Sequence, residues 1–96
     1  MTDAPDATSF APYIGKTVSL PDGHTLVLVG VDQRDGHALG TAMRAPFSLK
    51  LRGPPAPIVP EGMHRLVFDD ATGFELYLIP VHTPARDRQD YQVVFN

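Results

Sequence analysis

The sequence predicts an all-β domain of about six strands, either a small antiparallel β-barrel or a two-layer sandwich, opened by a short N-terminal helical turn. Three observations predict it. The polar residues are those of turns: nine Asp, eight Gly and ten Pro stand against only two Glu and two Lys, and Glu and Lys are the residues that favour helix surfaces. Apolar runs of strand length recur between breaks rich in Pro, Gly and Asp. Residues 47–52 alternate strictly, with Phe47, Leu49 and Leu51 on one side and Ser48, Lys50 and Arg52 on the other, as in a strand with one wet face.

Ninety-six residues supply one hydrophobic core. No cysteine is present, so the core has no disulfide or thiolate metal site to assist it. Residues 1–8 carry no basic region and no apolar run, so they read as an acidic, disordered lead-in rather than a secretion signal. Residues 9–96 then form a single β domain. No apolar stretch approaches the roughly 20 residues of a membrane span, and a cytoplasmic protein is the expectation. The net charge of −3 opposes general attraction to nucleic acid or anionic membrane.

The elements follow in order. Ser9 is placed to cap a turn over residues 10–14, which Gly15 stops. Phe10, Tyr13 and Ile14 give that turn an apolar side, suited to plug one end of a β core. Residues 16–20 form the first strand. Pro21, Asp22 and Gly23 then reverse the chain, with Pro fixing φ and Gly accepting positive φ. Residues 25–31 form the second strand. Its run of Leu26, Val27, Leu28 and Val29 predicts a central strand covered on both faces, with Gly30 marking a bulge or bend. Residues 33–45 match no period and are expected to be a loop, with a short edge strand as the alternative.

Residues 53–62 include four prolines, which lack an N–H, so they form a stiff extended connection rather than a paired strand. Residues 64–68 and 74–81 make a hairpin about the turn at 69–73. The second of these strands is expected to be central and apolar on both faces apart from Glu75. Residues 82–89 form a charged loop. Residues 91–96 complete the core beside 74–81, and a fully buried Phe95 implies a loss of about 3–5 kcal/mol on truncation to Ala.

Certain stretches carry a resemblance. Phe47, Ser48 and Leu49 with Arg52, Gly53 and Pro54 are followed by Pro60, Glu61 and Gly62. Then come the run Phe-Glu-Leu-Tyr-Leu-Ile-Pro-Val at 74–81 and Tyr91 with Val94, Phe95 and Asn96. Together with the opening Phe10, Ile14 and Gly15, these motifs resemble a family of small bacterial proteins of unknown function. The resemblance implies an all-β fold, and a genomic neighbourhood that in some members includes phage-tail-like collar proteins. It implies no catalytic or binding residue.

The candidate chemistry is sparse. His24, His37, His64 and His82 fall on different elements with no close pair of zinc-signature spacing. Ser9, Ser19 and Ser48 lie in no nucleophile-elbow pattern. Glu75 is flanked by Phe74, Leu76 and Tyr77, and under cover its carboxyl would be pushed up as in acid catalysts. The plainer expectation is a salt bridge to Arg52 or Arg65. Arg44, Lys50, Arg52 and Arg65 are the candidate interaction surface, a positive patch without the interleaved aromatic rings that nucleic acid requires. Pro54, Pro57 and Pro60 have the spacing of a polyproline ligand, which a rigid connector explains equally well.

The expected function is therefore a non-enzymatic interaction or assembly module with a protein partner, an accessory to a phage-tail-like or surface-fibre system. It uses no cofactor or metal, and homo-oligomerisation remains open. The alternative is a small-ligand-binding barrel or enzyme that gathers Glu75, Tyr77 and a histidine at its mouth. A weak nucleic-acid-binding module stands third.

Overall fold

The breaks in the sequence set the strands. A computed structural model describes residues 7–33 and 47–95, and within them six strands follow a short helical segment. The strands are β1 (Thr17–Ser19), β2 (Thr25–Gln33), β3 (Phe47–Gly53), β4 (Gly62–Val67), β5 (Gly73–Pro80) and β6 (Gln89–Phe95). The Pro-Asp-Gly reversal forms as expected. Leu20 N–H donates to the His24 carbonyl at 2.9 Å, Gly23 N–H to the Leu20 carbonyl at 3.1 Å, and Gly23 takes a φ of 95°. The loop expected at 33–45 falls almost wholly outside the described residues, as does most of the lead-in at 1–8.

The strands close into an antiparallel barrel in the order β1-β2-β3-β6-β5-β4, which decides between barrel and sandwich. Closure is uneven. β3 and β6 pair over seven residues, from Phe47↔Phe95 to Gly53↔Gln89. β5 and β6 meet only at Ile79↔Gln92 and Pro80↔Tyr91, and β1 and β4 only at Ser19↔Val67. The last strand therefore lies beside 74–81 as the order in sequence had implied, but its longer ladder is with β3 on its other side.

A closed barrel has one inner face and no covering layer, and this corrects two expectations. In β2, Leu26 and Leu28 are buried while Val27 and Val29 are each 37% exposed. In β5, Leu76 and Leu78 point inward, whereas Glu75 and Tyr77 are exposed. Neither strand is covered on both sides. A register shift between Leu28 and Gly30 marks a bulge. The inserted residue lets Val31, not Gly30, take the next inward place, where it packs against the core.

The helical segment begins earlier than Ser9. An α-turn spans Ala7–Phe10 and continues as a 3₁₀ turn over Ala11–Tyr13, so Ser9 lies inside it rather than capping it. Phe10 is fully buried and Tyr13 half-buried, but Ile14 faces outward at 45% exposure. The plug is Phe10. Its ring centre lies 6.0 Å from Phe47, 6.0 Å from Phe68, 5.1 Å from Phe74 and 5.5 Å from Phe95. All five phenylalanines of the chain thus meet in one cluster, most at the tilted geometry that ring quadrupoles favour. The Tyr13 hydroxyl donates to Asp70 Oδ2 at 2.8 Å, tying the plug to the β4–β5 turn. Bonds from Thr72, and then from Tyr13, hold the Asp70 carboxyl below the usual aspartate range. A lowered folded value adds stability above the ordinary aspartate pKa, lost as pH falls through the lowered one.

The proline-rich connection forms no strand among residues 54–61. Val59 within it is nonetheless fully buried, and its N–H donates to the Tyr91 hydroxyl at 2.9 Å. One bond thereby satisfies a buried backbone donor and a buried phenol together.

Ring burial ranks the aromatic residues. Phe10 is fully enclosed, whereas Phe95 is only partly buried, so the full loss first expected at the C-terminal ring moves to the N-terminal one. Phe10→Ala is expected to cost about 3–5 kcal/mol and Phe95→Ala distinctly less. Urea unfolding of both variants checks this, and the reverse ranking would contradict it.

Candidate functional site

The interior is packed with apolar side chains from Phe10 to Val93, and among the described residues no polar or charged residue is buried. The chemistry stands on the outer wall. It gathers where β2, β3 and β6 run side by side and residues 81–88 fold back against them.

The local sequence builds this wall stepwise. Alternation in β3 sends Lys50 and Arg52 outward, while Leu49 and Leu51 enter the core. The β3–β6 register then sets Arg52 opposite Asp90 and Lys50 opposite Gln92. On the other flank, Val27 lies opposite Arg52. Gly53 closes the end of β3 where the chain passes close to β2, since a Cβ there would stand 2.5 Å from Leu26 Cδ2.

The loop from 81 to 90 is stapled to itself. Thr83 Oγ1 donates to the Val81 carbonyl at 2.9 Å and accepts from Asp90 N–H at 3.0 Å. Gln89 Nε2 donates to the Val81 and Asp90 carbonyls at 2.8 and 3.0 Å, and Val81 N–H donates to the Asp90 carbonyl at 3.1 Å. These bonds fix the position of Asp90, whose carboxylate collects two guanidinium groups. Arg52 Nε donates to Oδ1 at 3.0 Å, and Arg88 Nε donates to Oδ1 at 3.2 Å and to Oδ2 at 3.4 Å. Lys50 is paired with Asp32 at 3.0 Å on the adjoining surface.

Between this ion cluster and the exposed valines lies an open groove of about 570 Å³, walled by Val27, Val29, Arg52, Gly53, Asp87 and Arg88 among others. A second recess of about 210 Å³ shares Val29 and Arg52 and continues past Lys50, Asp90 and Gln92. The two recesses meet at Val29 and Arg52, where the exposed valines lie beside the charged residues.

The residues singled out from sequence separate. Lys50 and Arg52 lie in the groove. Arg65, on β4, is divided from them by β6 and β5 in one direction around the barrel and by β2 and β1 in the other, so it joins no patch with them. Arg44 lies outside the described residues. Glu75 sits opposite Arg65 in the β4–β5 register, but Arg52 is engaged by Asp90, and the Arg65 guanidinium lies against Gly73, 2.8 Å from where a Cβ would stand. The expected Glu75 salt bridge thus forms with neither arginine. Tyr77, on the same outer face, donates its hydroxyl to Glu61 Oε2 at 2.8 Å. Neither residue lines the barrel interior.

The histidines are dispersed. The His24 backbone N–H donates to Asp22 Oδ1 at 3.0 Å, and this bond, then the ring Nδ1 2.8 Å from the same oxygen, hold that carboxyl below its usual range. His64 Nε2 lies 2.7 Å from the Pro60 carbonyl, His82 is exposed, and His37 lies outside the described residues. Among the described residues no group of three His, Cys, Asp or Glu side chains is placed to hold a metal ion. No helix among them is long and apolar enough to cross a membrane.

Such an arrangement defines a small closed β-barrel with a packed interior and a groove on its outer wall. The chain belongs to the family described as Domain of unknown function (DUF6916), which it matches over residues 5–95. No curated protein and no solved structure matches it.

The Tyr77–Glu61 pair offers a direct check on the outer wall. The hydrogen bond to the Glu61 carboxylate, and then its negative charge, push the Tyr77 phenol above the ordinary tyrosine value. Glu61→Gln should bring it back down while leaving the other tyrosines in place. Ultraviolet titration of tyrosinate formation measures this, and an unchanged curve would show that the pair does not form in solution.

Proposed function

We propose that this protein is a non-enzymatic interaction module that engages a protein partner through the groove on β2, β3 and β6. The observation that carries the reading is the meeting of Val27 and Val29, each 37% exposed, with the Arg52–Asp90–Arg88 cluster along one continuous groove. An apolar floor with a charged rim is the anatomy of a protein interface. The packed interior supports the same reading, because a filled barrel leaves the outer wall as the surface on which recognition takes place. The resemblance to proteins encoded near phage-tail-like collar proteins supports an accessory role in assembling such a system or a surface fibre. The cytoplasm is the compartment in which such an accessory works before assembly.

Immobilised chain tests this against extracts of the native host. The parent should retain a defined partner, and a Val27→Asp, Val29→Asp double variant should retain about tenfold less or below, the equivalent of about 1.4 kcal/mol. Both substitutions lie on the outer face, so the variant should melt close to the parent. Equal retention by a folded variant, or no specific retention by the parent, would contradict the proposal.

A further inference from the structure

We infer that the groove takes an extended peptide segment in which a carboxylate side chain stands between apolar ones. The inference deepens the interaction reading above by naming the chemistry of the partner.

It begins with the donors that Asp90 leaves uncommitted. A guanidinium carries five N–H donors in a planar fork. Asp90 meets both Arg52 and Arg88 through their Nε atoms, and among the described residues no further bond engages the Nη atoms of either. Two cations therefore share one anion. With Asp87 in the same wall the groove carries no surplus charge, but the cluster keeps two open fork edges, and a carboxylate fits such an edge by two parallel charge-assisted bonds. The arginines are held by Asp90, whose own position is fixed by the backbone and Thr83, so less side-chain freedom is lost when a ligand arrives.

The floor beside the forks is apolar. Val27 lies directly opposite Arg52, and Val29 is shared by both recesses. A ligand that satisfies the whole groove thus needs one anionic group with apolar groups next to it. The two recesses, about 570 and 210 Å³, share Val29 and Arg52, and together they offer far more room than a lone ion needs. Nucleic acid fits poorly. Asp87 and Asp90 stand in the groove walls and offset Arg52 and Arg88, so the wall offers fork edges for a single carboxylate but no continuous positive track for a row of phosphates. The one aromatic residue that borders the recesses, Tyr91, is 2% exposed and offers no stacking platform.

Fluorescence anisotropy tests the inference with a labelled peptide holding a single glutamate between valines, its glutamine counterpart, and a single-stranded oligonucleotide. The glutamate peptide should bind the parent about tenfold more tightly than the glutamine peptide, and added salt should weaken that preference. Arg88→Gln and Arg52→Gln should each remove most of it, while Arg88→Lys, which keeps the charge but not the fork, should restore only part. Should either glutamine variant fail to fold, the parent's preference between the two peptides decides alone. Equal binding of the two peptides, no binding of the glutamate peptide, or tighter binding of the oligonucleotide would overturn the inference. A host partner lost by the Val27→Asp, Val29→Asp variant yet retained by Arg52→Gln and Arg88→Gln would leave the interaction reading standing and overturn this one.

Discussion

The seating of Phe10 among Phe47, Phe68, Phe74 and Phe95 is the contact on which the rest of the barrel depends. Those four rings come from β3, the β4–β5 turn, β5 and β6, so one side chain from the start of the chain bridges elements that pair weakly with one another. The weakness is specific. β5 and β6 share only two register pairs, and their remaining lengths run on without ladder contacts between them. Phe47 and Phe95 stack at 4.4 Å across the strong β3–β6 ladder, while Phe74 and Phe68 belong to the hairpin on the other side of that seam. Phe10 packs against both groups. Apolar area is thereby buried across a seam where backbone bonds are few.

With the interior filled, the polar chemistry of the described residues lies on the wall. The same alternation that sends Leu49 and Leu51 inward sends Lys50 and Arg52 outward, so the core and the groove come from one stretch of sequence. The bulge after Leu28 works in the same way. It returns Val31 to the core and leaves Val29 on the surface as part of the groove floor. Asp90 then organises the charges, because it stands directly across from Arg52 and receives Arg88 from its own loop. The groove proposed for recognition is thus a consequence of strand register.

Much of the fold was legible in the sequence. The strict alternation of residues 47–52, the Pro-Asp-Gly turn and the hairpin about residues 69–73 all report local preferences that the closed barrel does not override. Phe10 was legible as a plug, although the helical segment that carries it starts before Ser9. What was not legible is pairing between distant strands. Nothing in residues 47–53 says that they lie beside 89–95, whereas adjacency in sequence pointed correctly to 74–81, the strand on the other side of β6. The same blindness split the candidate site. Lys50, Arg52 and Arg65 look alike as outward cations, but strand order separates Arg65 from the others. Asp90 and Arg88 read only as parts of a charged segment until β6 is placed against β3. The exposure of Val27 and Val29 was hidden for a different reason. An apolar run on both faces normally marks a covered strand, and here the uncovered face is the groove floor.

The central claim, that Phe10 secures strands which their own ladders do not, is tested most directly by hydrogen exchange of the Phe10→Ala protein against the parent under native conditions. The account predicts that protection falls together in β3, β5 and β6, the strands whose rings Phe10 touches, with the β5–β6 seam opening first. A loss confined to the helical segment at residues 7–13, with the strands as protected as in the parent, would contradict it.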